Sequence, residues 1–435
     1  MKLTFHGGAR EVGRSCVELD TGRTKVLFDS GIMIEPEGTA YPINLNNLDQ
    51  IDAVFLSHAH VDHSGALPYL DHNGLNCPIF CTKVTKNICR LLLTDSFKVG
   101  KLSFQDLGYE KNDIYKALDF MRRVKLREEG TIGDLDFTFY DAGHIPGSTS
   151  ILVETSHSKY KKIFYTGDIK ASETCLLNPP SVDVKRDLSD VDVLITETTY
   201  GNRIHSPRRT EVNRFLKVIS TTLARGGNVL IPVFAVGRAQ EILLMLAENV
   251  SDYDKMGINI YLDGMAKKAT EIMLACPETL KDSKKLQKMF NKAIKVDGKM
   301  RKKVLRRQSI IVTTSGMLTG GAILSYLKET YKNNRDSILL TGYQAEATNG
   351  RLLMEEGCVY IDGHRKKVNC QLDKFDFSAH SDQAEIKDLI RNINPKKLIL
   401  MHGDPEALNE ILEWAKVKEY DVCAPSLGET IDLGD

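Results

Sequence analysis

The stretch Ser57-His58-Ala59-His60-Val61-Asp62-His63-Ser64-Gly65 sets three imidazoles and one carboxylate within six residues, directly after the apolar run Val54-Phe55-Leu56. On an extended backbone, residues 58, 60 and 62 point to one side, and a turn entering a helix at Ser64 would swing His63 round beside them. Neutral imidazole nitrogens and carboxylate oxygens suit zinc, and two metals roughly 3.5–4 Å apart can hold both the attacking and the leaving oxygen of a hydrolysed ester. The stretch reads as a two-metal site, against the blander alternative of a polar surface loop with scattered histidines.

The rest of the first 203 residues has the same logic. Lys25-Val26-Leu27-Phe28 is followed by Asp29, Phe137-Thr138-Phe139-Tyr140 by Asp141-Ala142-Gly143-His144, Ile163-Phe164-Tyr165-Thr166 by Gly167-Asp168, and Val193-Leu194-Ile195-Thr196 by Glu197. Short apolar runs ending in a polar residue read as strands that deliver side chains to one edge of a rigid sheet, where active sites gather. Gly143, Gly147 and Gly167 allow the sharp turns such a crowded edge needs.

From 204 to 368 the pattern changes to regular β/α alternation. Strands are expected near 228–234, 258–262, 309–313 and 337–341, with helices near 238–249, 265–275 and 321–331, giving a parallel-sheet domain. Neither G-x-G-x-x-G nor G-x-x-x-x-G-K-[ST] occurs, so neither nucleotide fingerprint supports nucleotide binding. The loop Thr314-Ser315-Gly316-Met317-Leu318-Thr319-Gly320-Gly321 could offer backbone N–H groups to a phosphate, and an ordinary strand-to-helix turn explains it as well. Arg238 is a candidate phosphate contact whose alternative is a surface arginine at a helix start.

In 369–435, Phe377-Ser378-Ala379-His380-Ser381-Asp382 and Leu400-Met401-His402-Gly403-Asp404-Pro405 each end a strand and begin a helix. Asp382 with Glu385 fits a capping box, and Asp404-Pro405 fits an N-cap with proline at the first helical position. His380 and His402 therefore occupy the same kind of strand-end loop as the earlier candidates, and the chain is expected to return here to its first domain.

Composition bounds the rest. The chain has 435 residues, 42% hydrophobic and 27% charged, enough material for two domains and not the make-up of a disordered chain. No apolar run approaches the roughly 20 residues of a membrane span, and the start Met1-Lys2-Leu3-Thr4-Phe5-His6 lacks a signal peptide's apolar stretch, so no membrane association and a cytoplasmic location are expected. Nine cysteines without a C-x-x-C pair suit reduced, mostly buried thiols, and none is assigned to metal. The formal net charge is zero, but 281–307 carries nine lysines and three arginines against Asp282 and Asp297. That stretch fits a nucleic-acid backbone or a solvated helical face equally well.

Taken together, His58-x-His60-x-Asp62-His63, His144, Asp168 and His402 resemble the ligand set of the metallo-β-lactamase fold, with Asp29 as the aspartate of its first motif. Asp168 and His402 stand 234 residues apart, far more than in ordinary members, so a whole domain is inserted between them. With Glu197 in Thr196-Glu197-Thr198-Thr199-Tyr200-Gly201, His380 and His402, the insertion resembles the β-CASP branch, which acts on nucleic acids. The spellings Ser57-His58-Ala59-His60-Val61-Asp62-His63-Ser64-Gly65 and Phe377-Ser378-Ala379-His380-Ser381-Asp382 look most similar to the nuclease subunit of the cleavage and polyadenylation specificity factor and its prokaryotic relatives, rather than to RNase J. The chain departs from one archaeal group in showing no KH domains and from RNase J in showing no C-terminal domain.

The resemblance implies an α/β chain: an αββα metallo-β-lactamase sandwich made of 1–203 and 369–435, interrupted by a Rossmann-like parallel-sheet β-CASP domain at 204–368. It implies two Zn2+ per chain, with Mn2+ left open by the ligand types. His58, His60 and His144 would hold one ion, Asp62, His63 and His402 the other, and Asp168 would bridge them, with Asp29 supporting the ligands from behind. His380 would act as general acid, oriented by Glu197, Asp62 and Asp168 would count as catalytic beside them, the two cations would position the attacking water, and Ser378 or nearby N–H groups would meet phosphate oxygens. The implied activity is endonucleolytic cleavage of single-stranded RNA between the two domains, leaving 5′-phosphate and 3′-hydroxyl, in RNA processing, 3′-end formation or decay. A 5′-to-3′ exonuclease is the closest rival, ahead of a small-ester hydrolase and an inactive scaffold. A second copy of the chain or an RNA-processing complex are the implied protein partners. His6, His72, His157, His205 and His364 are expected to be ordinary surface or structural residues.

Overall fold

The computed structural model describes residues 1–35, 38–156, 158–180 and 182–434. They form two units: Met1–Glu173 with Asn178–Ile204 and Ala379–Asp435, and Thr174–Leu177 with His205–Ser378.

The first unit is built on two seven-stranded sheets. One runs in the order Thr430–Asp432, Lys2–Gly7, Cys16–Asp20, Lys25–Phe28, Ala53–Phe55, Ile79–Cys81, Met121–Arg123; the other Val422–Cys423, Lys397–Met401, Val193–Glu197, Lys162–Tyr165, Thr149–Glu154, Leu135–Asp141, Glu129–Ile132. Period-two alternation divides each strand's side chains between two buried faces. Val26 and Phe28 join Phe55, Phe137, Phe139, Ile151 and Ile195 in the core between the sheets, whereas Leu194, Leu398 and Leu400 turn outward onto the helices Gln383–Ile393 and Pro405–Val417. The layers are thus helix, sheet, sheet, helix. The return segment completes the second sheet: Lys397–Met401 pairs parallel with Val193–Glu197, from Val193 opposite Lys397 to Glu197 opposite Met401. That register brings the end carrying His402 beside the end carrying Glu197.

The second unit is a six-stranded, wholly parallel sheet in the order Ile294–Lys295, Asn259–Asp263, Ser309–Thr313, Val229–Pro232, Ser337–Leu340, Gln371–Lys374. Its central strands Ser309–Thr313, Val229–Pro232 and Ser337–Leu340 are buried on both faces, which is why they read as apolar runs. The edge strand Gln371–Lys374 pairs with Ser337–Leu340, so 369–378 stays in this unit and the boundary falls at Ser378, later than the 368/369 junction expected from the sequence. The other junction falls at Ile204, with 174–177 also belonging to the second unit. Among the described residues no helix is long and apolar enough to cross a membrane, and all nine cysteines are free thiols.

Candidate active site

The helix after the Ala53–Phe55 strand begins at Val61, with His60 as its N-cap, rather than at Ser64. Asp62 and His63 therefore project from a helical turn and not from an extended segment. The cause lies in the chain beside it: Ser30 N–H donates to His63 O at 2.7 Å and Ile32 N–H to Val61 O at 2.9 Å, which holds the turn closed. Gly31 makes this approach possible, since a Cβ there would lie 1.7 Å from Asp62 O.

The strand ends converge as the spacing predicts. His58, His60, His144 and Asp168 form one group able to hold a metal ion, and Asp62, His63, Asp168 and His402 a second. Asp168 divides its carboxylate between them. Oδ2 lies 3.6 Å from His58 Nε2 and 3.7 Å from His144 Nε2, while Oδ1 lies 3.3 Å from His63 Nε2 and 3.1 Å from His402 Nδ1. His60 Nδ1 is 3.2 Å from both His58 Nε2 and His144 Nε2. His402 Nε2 faces Asp62 Oδ2 at 3.7 Å.

Charge and burial fit cations here. Burial holds the pKa of His58, His60 and His144 below that of an ordinary imidazole, leaving nitrogen lone pairs to coordinate. Burial also opposes charge on His402, but Asp168 and Asp62 outweigh it and raise its pKa to about 10. The buried carboxylates thus call for positive charge, which metal ions supply as well as protons do. His63 Nε2, Asp168 Oδ1 and His402 Nε2 are buried and make no hydrogen bond among the described residues. Buried polar atoms are ordinarily satisfied, so three orphans turned toward one point are what a ligand set looks like, and the donor set fits divalent metal.

The candidate ligands are held from behind. Asp29, fully buried at φ 60°, accepts from Ser57 N–H, Ser57 Oγ, Tyr165 OH and His63 Nδ1, each at 2.7 Å. His58 Nδ1 meets Ser57 Oγ at 3.0 Å and His144 Nδ1 donates to Ala379 O at 2.8 Å. The contacts on Nδ1 of His63, His58 and His144 fix each ring so that Nε2 faces inward. Ser57, Tyr165 and Ala379 were not singled out from sequence, although Ser57 adjoins His58 and Tyr165 lies on the strand that leads to Asp168.

His380 lies against the same centre. Its Nδ1 is 2.8 Å from Glu197 Oε2 and 3.9 Å from Asp168 Oδ2, and its ring is 4.5 Å from that of His144. Burial disfavours the imidazolium, but Glu197 and Asp168 outweigh it and lift the pKa above the ordinary value. Glu197 is itself held: Oε1 accepts Ile169 N–H at 2.7 Å and Oε2 accepts the hydroxyl of Thr199.

The phosphate-contact candidates all lie in the second unit. Arg238 does open the helix Arg238–Leu246, but it is buried and its guanidinium is paired with Glu241. Ser315 Oγ accepts the N–H groups of Thr319 at 3.2 Å and Gly320 at 3.4 Å, so those amides are engaged inside the loop, and Gly316 O accepts from Gln344 Nε2 at 3.1 Å. Ser378 O accepts from Arg208 Nη2 at 2.5 Å. In the basic stretch, Leu286, Met289 and Phe290 face inward from the helix Ser283–Lys292, Lys292 pairs with Asp254 and Arg301 with Asp263. Of the remaining histidines, His6 contacts Ile43 O, His72 contacts Asp113, His205 contacts Asp376 and His364 is exposed; His157 lies outside the described residues.

Comparison with known proteins agrees with this geometry. Residues 16–197 match the family model of the metallo-beta-lactamase superfamily domain, 239–353 that of the Beta-Casp domain, and 365–425 that of the Zn-dependent metallo-hydrolase RNA specificity domain. A probable RNase MJ4 of Methanocaldococcus jannaschii is 39% identical over 439 residues, spanning 100% of both chains. An RNase J-like protein of the same organism is 37% identical over 92% of each chain. RNase aCSPSF2 of Saccharolobus solfataricus is 32% identical over 99% of this chain and 85% of its own.

Proposed function

Since this chain belongs to the β-CASP ribonucleases of the metallo-β-lactamase superfamily, we propose that it is a two-zinc endonuclease that hydrolyses single-stranded RNA to 5′-phosphate and 3′-hydroxyl ends. His58, His60 and His144 would hold one cation, Asp62, His63 and His402 the other, and Asp168 would serve both. The observation that carries this reading is the division of the Asp168 carboxylate, one oxygen toward each group, with His380 on Glu197 alongside.

Bound cations supply Lewis acidity, lowering the pKa of water at the site and offsetting charge on the phosphate. The chain does the rest. Water adds to phosphorus, and the bond to the 3′-oxygen breaks with its electron pair staying on that oxygen. His380 gives the 3′-oxygen a proton from Nε2, while Glu197, accepting Nδ1–H, orients the ring and favours the imidazolium that has this proton to give. The proton lost by the water passes to solvent. Thr199 and the Ile169 N–H hold the Glu197 side chain aligned on the ring.

A time course with zinc-loaded protein and 5′-labelled single-stranded RNA, every labelled product resolved by length, tests the reading. Labelled fragments of intermediate length are expected. Label appearing only in mononucleotide would make the enzyme a 5′-to-3′ exonuclease, and no cleavage by protein shown to carry both ions would overturn the assignment.

A further inference from the structure

Lys170 stands two residues beyond Asp168 and is only 5% exposed. A buried ammonium requires a partner, and Nζ meets Glu385 Oε2 at 2.6 Å. The same Oε2 accepts Asp382 N–H at 3.0 Å, and Asp382 Oδ1 accepts Glu385 N–H at 2.9 Å: the capping box that starts the helix Gln383–Ile393 just after His380. Two further bonds stitch the same segments, Ser381 N–H to Ile169 O at 2.7 Å and Ala171 N–H to Ser381 Oγ at 2.9 Å. On its other side the loop is tied to the His144 turn, through Lys170 N–H to Ala142 O at 2.9 Å. The loop that carries the shared carboxylate is therefore also the anchor of the turn that carries His380, and Lys170 with Glu385 is its charged fastening.

We propose that Lys170 is a positioning residue: locked to Glu385, it holds the His380 turn so that the imidazole stays on Glu197 and within reach of the departing oxygen. The inference rests on His380 being the general acid. Removing the ammonium leaves the cap bonds of Asp382 in place and leaves Glu385, whose side chain is 20% exposed, able to regain water. The fold survives while the turn loosens, and a displacement of about 1 Å at a reacting group costs on the order of a hundredfold in rate.

The test uses the full metal-loaded chain as Lys170→Met, Glu385→Gln and Lys170→Arg beside the parent and His380→Ala. Two substrates are compared, an RNA and a phosphodiester whose leaving group is 4-nitrophenolate. Nitrophenolate departs without a proton, whereas an alkoxide needs one. We expect parental metal content and a melting temperature within a few degrees. On RNA, Lys170→Met and Glu385→Gln should lose about ten- to a hundredfold in kcat with KM within about twofold, keep most of their rate on the nitrophenyl ester, and Lys170→Arg should recover most of the RNA rate. Equal losses on both substrates, loss of metal, or near-parental kcat on RNA would overturn the positioning role. If His380→Ala itself loses equally on both substrates, the general-acid reading falls, independently of what the Lys170 variants do.

Discussion

Asp29 shows how much of the site rests on residues that would touch neither metal nor substrate. Its two oxygens accept four hydrogen bonds, from the Ser57 amide and hydroxyl, Tyr165 and His63, in a fully buried position. Asp29→Asn keeps the volume but replaces one acceptor oxygen with an NH2 donor, so at least one buried donor loses its partner and the His63 ring loses its fixed orientation. Metal affinity should fall about ten- to a hundredfold, measured by competition with a chelating dye, with little change in melting temperature at saturating metal. Unchanged affinity would mean that packing alone orients His63. Asp29 was legible in the sequence because it follows an apolar run, as several of the proposed ligands do. Ser57, Tyr165, Thr199 and Lys170 were not, because a serine, a tyrosine or a lysine has no local pattern that marks it. Their roles come from contacts across 28 residues for Ser57 to Asp29 and 215 for Lys170 to Glu385.

Elements were legible where burial is two-sided. Strands such as Ser309–Thr313 are continuous apolar runs, and the parallel sheet followed from them. Gln371–Lys374 carries no such run, and its strand state comes from pairing with Ser337–Leu340, which only the tertiary structure reveals. The start of the helix Val61–Ser64 was misplaced for a similar reason: the segment 30–32 sets it, not the local sequence. That dependence gives a test. A Cβ at Gly31 would lie 1.7 Å from Asp62 O and 2.7 Å from His63 N, both backbone atoms that cannot swing aside. Gly31→Ala must push the helical turn away, at a cost of at least about 2 kcal/mol by the usual scale of overpacking. It should also shift Asp62 and His63 together, so both the melting temperature and the metal content should drop. A stable variant with full metal content would show that the turn can be held without this close approach.

At the scale of the molecule, every proposed ligand belongs to the first unit, yet they come from both sides of the second unit in the chain: His58 through Asp168 before it, His402 after it. A cation held by Asp62, His63, Asp168 and His402 would therefore cross-link the return segment Ala379–Asp435 to the body of its own unit, adding to the strand pairing of Lys397–Met401 with Val193–Glu197. Any ligand that binds only the folded form stabilises it by RT ln(1 + [L]/Kd), about 4 kcal/mol at a thousandfold excess over Kd. The buried carboxylates Asp62 and Asp168 add to the effect, since without cations they depend on protonated His63 and His402 for counter-charge. Metal removal by a chelator should therefore lower the melting temperature, and restoring zinc should recover it. In His402→Ala the second group keeps only Asp62, His63 and the shared Asp168, so the gain on adding zinc should shrink while the first group still binds. Limited proteolysis should place the new cleavage sites of the metal-free protein in the return segment. Equal melting of the metal-free and zinc-loaded protein would show that the ions serve the chemistry without helping to close the fold around the insertion.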